Sequence, residues 1–211
     1  MRFTLIIYFL VGWTVSLFAQ EPVEAETAGA DKWSFETSIY YYSFPDLEDN
    51  LMPILYSDYR NFHFEVRYNY EDKNTFSFFG GYRFEGGEKT EWGITPILGA
   101  VTGNSEGIAP GLELDFAFNK IDFYSESEWF VDLSEKENNF IYTWSELGFL
   151  ATEKIRCGIS ANRTKIYDTK REIQHGVFGE YSFNSLTAGV HYFNPISDYF
   201  FIFTLNYIIP N

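Results

Sequence analysis

The sequence predicts an all-β fold: a closed antiparallel up-and-down transmembrane β-barrel of about 12 strands, within a range of roughly 10–12. Three observations predict it. Side-chain character alternates with period two along most of the chain. Aromatic residues reach 21%, and the lysines avoid the middles of the alternating segments.

The alternation is clearest where Phe62, Phe64, Val66, Tyr68 and Tyr70 take one face and His63, Glu65, Arg67 and Asn69 the other. Leu112, Leu114, Phe116 and Phe118 likewise alternate with Glu113 and Asp115. Ile121, Phe123, Trp129 and Val131 oppose Asp122, Glu126 and Glu128. Successive strand side chains point to opposite faces, so this period predicts strands. Read throughout, it gives strands near 33–42, 51–57, 62–70, 74–84, 90–101, 107–118, 120–131, 139–150, 154–165, 174–183, 185–193 and 198–209. The eighth alternates cleanly only to Ser145, which predicts a bulge near Glu146–Gly148. Pro53, Pro96 and Pro110 fall inside predicted strands, where a missing N–H is expected to be absorbed by bulges.

Composition narrows the function classes. A net charge of −15 opposes nucleic-acid binding, which needs basic patches. The single cysteine, Cys157, allows neither an internal disulfide nor a thiolate metal site. After residue 20 no uncharged apolar run is long enough for a membrane-spanning helix. Before it, Arg2, the apolar stretch Phe3–Phe18 and Ala19 have the order of a cleaved secretory signal over residues 1–20. Residues 21–32 are acidic and aperiodic, and are expected to be disordered. The barrel domain then covers 33–211.

The connections alternate in length. The odd ones, Ser43–Asn50, Glu71–Lys73, Thr102–Glu106, Asp132–Asn138, Ile166–Ile173 and Asn194–Ser197, are generally the longer, with Glu71–Lys73 an exception. The even ones include Asp58–Asn61, Glu85–Lys89, Asn119-Lys120, Ala151–Glu153 and Asn184-Ser185. Short periplasmic turns and longer outer loops are the pattern of membrane barrels.

Alternation does not say which face is inside, and a soluble lipocalin-like barrel has the same period. Lysine placement separates the two, because a lysine facing lipid at mid-bilayer costs about 2–4 kcal/mol. Lys32, Lys73, Lys89, Lys120, Lys136, Lys154, Lys165 and Lys170 all fall at strand ends or in connections. Aromatics such as Trp33, Tyr82, Trp92, Trp129 and Tyr207 gather near strand ends, as interfacial girdles do. On these features residues 33–211 resemble Gram-negative outer-membrane β-barrel proteins, and are similar in length and strand count to the small monomeric twelve-stranded porins. The resemblance implies residence in the bacterial outer membrane, contact with its lipid and a monomeric state. The segment Tyr199–Ile209 resembles the aromatic last strand on which such proteins are recognised by the assembly machinery, although Pro210-Asn211 follows it.

With the apolar face on lipid, the lumen is expected to be lined by Glu36, Glu65, Arg67, Arg83, Glu91, Glu113, Asp115, Asp122, Glu126, Glu128, Arg156 and Glu180. Nine acids against three bases favour cations. A two-residue turn at Asn119-Lys120 sets Glu113 opposite Glu126, so the pair needs an arginine, a bound cation or a raised pKa on one of the two. No serine motif, phosphate loop or metal-ligand spacing is present, and no catalytic residue, metal or cofactor is assigned. His175, near Tyr167, Asp168 and Glu172, is the histidine placed for rim catalysis. The expected function is a non-enzymatic, porin-like passive channel with a cation-favouring lumen. The alternatives are an enzyme at the rim, or a soluble exported ligand-binding barrel.

Overall fold

In a computed structural model, which describes residues 32–166, 172–196 and 198–210, antiparallel strands follow one another as neighbours all the way round. The elements are β1 (Trp33–Ser43), β2 (Asn50–Tyr59), β3 (Phe62–Tyr68), β4 (Thr75–Tyr82), β5 (Phe84–Gly86), β6 (Thr90–Gly103), β7 (Gly107–Phe118), β8 (Ile121–Asp132), β9 (Phe140–Thr152), β10 (Ile155–Ile166), β11 (Glu172–Phe183), β12 (Leu186–Phe193) and β13 (Phe200–Ile209). β1 closes on β13, from Phe35 opposite Ile209 to Ser43 opposite Phe201. β4 and β5 both pair with β6 and are halves of one strand broken at Arg83, so the barrel has twelve positions.

The turns at one end are tight. Tyr59 pairs with Phe62, Phe118 with Ile121 and Phe183 with Leu186. The first bridging residue in each, Arg60, Asn119 and Asn184, has φ of 55°, 56° and 52°. Asparagine tolerates that left-handed geometry better than most residues. The other end carries the longer connections, including Phe44–Asp49 and Leu133–Asn139. The supposed exception at Glu71–Lys73 disappears, because β3 stops at Tyr68 and the loop runs from Asn69 to Asn74.

Several local expectations are corrected. No register shift occurs at Glu146–Gly148, where β9 stays in step with both neighbours. The irregularity falls between Ile155 and Arg156, which pair with Thr152 and Leu150 and leave Ala151 as the extra residue. β9 therefore runs to Thr152, and the turn is Glu153-Lys154, not Ala151–Glu153. Nor do bulges absorb the prolines. Pro96 lies beside the interruption between β4 and β5, and Pro110 lies in a gap of the β7–β8 ladder whose register is unchanged on either side. Pro53 pairs with Ile39 just beyond the end of the β2–β3 ladder. A missing donor costs least where the ladder is already open.

The outward face is apolar. Mid-strand Leu98, Ile159 and Val177 are 59%, 58% and 53% exposed. Among the described residues the lysines lie outside the strands, apart from Lys165 near the end of β10. A soluble barrel would show the reverse, so the arrangement is that of a barrel whose solvent is hydrocarbon. Residues 1–31, holding the expected signal and most of the acidic leader, lie outside the described residues, as do 167–171.

Candidate functional site

The inner wall has two tiers. At the tight-turn end and the middle it is charged. Arg67 on β3 is 1% exposed and places its guanidinium 2.7–2.8 Å from carboxylate oxygens of Glu65, Glu126 and Glu128. Its Cζ lies 4.2 Å from the ring centres of both Tyr70 and Phe79. Burying charges is costly, and ion pairs together with contact to ring faces offset that cost.

Arg83 binds both oxygens of Asp115, at 2.5 and 3.0 Å, and donates to Glu85 at 2.8 Å. This fork-on-carboxylate geometry is the strong form of the pair. Arg156 gathers Asp122, Glu146 and Glu180, at 2.5, 2.8 and 2.8 Å, and lies over the Phe178 ring. Gly148 makes room for it: a Cβ there would sit 2.6 Å from both Arg156 Nε and Asp122 Oδ1.

The Glu113–Glu126 juxtaposition forms with the expected register, Asp115 opposite Tyr124 and Phe116 opposite Phe123. Of the three arginines considered, Arg67 reaches Glu126; the Tyr70 hydroxyl also donates to it at 3.0 Å. The Tyr124 hydroxyl stands 3.2 Å from an oxygen of each glutamate, so its one proton can serve either. Glu113 also faces His63. Glu36 is half-buried on β1 and Glu91 is exposed at the tight-turn rim; neither joins the arginine clusters.

Toward the long-loop end two apolar clusters stand among the inward positions, beside buried Thr75, Ser77, Ser160 and Asn162, which the alternation did not indicate. Phe79, Ile97, Val101, Ala109 and Phe130 form one buried cluster. Trp144, Phe193, Phe200 and Ile202 form another, with Tyr40, Tyr42, Tyr124 and Tyr142 packed against it. β1 and β9 are far apart around the barrel, so these tyrosines meet across the lumen. Tyr70, expected on the outward face, instead turns inward beyond Asn69, whose φ is 59°, and its ring meets Tyr142 edge-on. The waist is therefore occupied by side chains.

Sequence reasoning missed Glu146, because the expected bulge hid the continuing run Trp144-Glu146-Gly148. It also missed Tyr40, Tyr42 and Tyr70, which read as interfacial girdle residues at strand ends. The His175 side chain is exposed and its backbone bonds to Asn194, while its expected neighbours Tyr167 and Asp168 lie outside the described residues. His191 pairs with Phe178 and is 1% exposed.

Comparison with solved structures bears on the whole barrel. The chain superposes on the KdgM porin with a TM-score of 0.64 at 12% identity, over 83% of this chain and 99% of that one. The fold is a porin fold. The KdgM porin in complex with disordered oligogalacturonate gives a TM-score of 0.63 at 11% identity, over 84% and 99%. The NanC porin gives 0.57 at 9%, over 84% and 100%. No family model and no curated protein matches the chain.

Proposed function

We propose that this protein is exported to the bacterial outer membrane and acts there as a narrow, cation-favouring channel. The observation that carries the proposal is the acidic inner wall, where one arginine, Arg67, faces Glu65, Glu126 and Glu128. In a low-dielectric tube such an excess raises the local concentration of cations. The apolar outer face and the porin fold support membrane residence. The same wall argues against carrying over the anionic saccharide of the KdgM complex, because carboxylate would meet carboxylate.

A closed, structural barrel is the second reading, favoured by the tyrosines that meet across the waist. Planar-bilayer recording separates the two. The channel reading expects small unitary currents, a reversal potential shifted toward the cation equilibrium in a KCl gradient, and larger currents on Arg67→Ala. Silence from both the wild type and Arg67→Ala would establish the closed barrel.

A further inference from the structure

His63, Glu65 and Glu113 come from two strands, β3 and β7, and present one ligand atom each within 4.8 Å of one another. Each of these residues has its other polar atom engaged. His63 Nδ1 is 2.6 Å from Asp58 Oδ1. Glu65 Oε2 accepts from Arg67 Nε at 2.8 Å, and Glu113 Oε1 accepts from the Tyr124 hydroxyl at 3.2 Å. The remaining atoms converge: His63 Nε2 is 3.2 Å from Glu65 Oε1 and 3.8 Å from Glu113 Oε2.

A second observation points to a ligand. The Glu65 side chain is 0% exposed, and its Oε1 has no hydrogen-bond partner; nor has His63 Nε2, although the two atoms are 3.2 Å apart. A buried carboxylate oxygen whose polar neighbour, His63 Nε2, stands outside hydrogen-bond geometry is under-satisfied, and that is costly. Four-coordinate zinc with ligands at about 2.0–2.2 Å sets neighbouring donors about 3.4 Å apart, which the two measured separations bracket. The Asp58–His63 contact is the carboxylate–imidazole arrangement that orients a metal-binding histidine. One imidazole and two carboxylates suit Zn²⁺, while Ca²⁺ and Mg²⁺ prefer oxygen alone. Glu113, 11% exposed, gives access from the lumen.

We infer that His63, Glu65 and Glu113 form a Zn²⁺ site on the inner wall, with Asp58 as its positioning residue. The site does not depend on whether the barrel conducts. The test uses tag-free barrel folded in detergent, with folding verified by heat-modifiable gel mobility, and Zn²⁺ titrated against a chromophoric chelator. One Zn²⁺ per chain is expected, retained in millimolar Ca²⁺ and Mg²⁺. His63→Gln and Glu113→Gln should abolish binding, and Asp58→Asn should weaken it about 10–100-fold. Co²⁺ in place of Zn²⁺ should give the visible bands of a four-coordinate ion in the wild type. No binding by the folded wild type, unchanged binding in the folded double variant, or full displacement by Ca²⁺ would overturn the assignment.

Discussion

The two ends of the barrel interior solve the same burial problem with different chemistry. At the tight-turn end, Arg83 ties carboxylates of β5 and β7 together, and Arg156 those of β8, β9 and β11. At the long-loop end, Phe193 and Phe200 stack with centres 5.0 Å apart, and Phe130 packs on Phe140. One end is held by directional pairs, and the other by packed aromatic and aliphatic clusters set among small buried polar groups such as Thr75 and Ser77. Alternation therefore reports which residues face inward and leaves open what those residues must be.

Truncation in the packed end should be the costliest change. Phe193→Ala removes a ring that is 0% exposed, and should lower unfolding stability by about 3–5 kcal/mol. Urea midpoints of the barrel folded in lipid vesicles would show it. At the middle, Arg67→Ala leaves Glu65, Glu126 and Glu128 without their shared cation, at a cost of about 3–5 kcal/mol. If Arg67→Ala were neutral while Phe193→Ala was severe, the charged tier would be contributing little to stability.

Gly148→Ala tests the charged end by crowding alone. Its Cβ must displace the Arg156–Asp122 pair, so a loss of about 1–3 kcal/mol is expected in the same assay. The smallest effect belongs outside both tiers, in the Phe44–Asp49 loop. The Tyr41 hydroxyl and the Phe44 amide hold the Asp49 carboxyl below its ordinary value of 3.8. A depressed carboxyl stabilises above its unfolded pKa and loses that contribution as pH falls through the folded one. Hydrogen exchange should therefore find the Phe44 amide less protected in Asp49→Asn at neutral pH, and protection in the wild type should fall only in acid.

Most strands and their register were legible in the sequence, because one face carries large apolar groups almost without interruption. Legibility failed where both faces are apolar. In Trp129-Phe130-Val131 the middle residue is buried inside while Trp129 is exposed outside, and hydrophobicity cannot tell them apart. It failed again where groups meet through closure. Asp58, His63 and Glu113 lie on β2, β3 and β7, so no spacing along the chain announces their convergence. Tyr70 was hidden differently, since one left-handed residue, Asn69, ends the parity on which its assignment rested.

The pairing of β1 with β13 has a consequence for how the protein is made. The first and last strands form a seam, and until β13 is present both sheet edges remain open. Barrel closure therefore cannot begin while the chain is still emerging. Until then the polypeptide must be kept from pairing those edges with other chains, and β13, Phe200–Ile209, decides when that vulnerability ends.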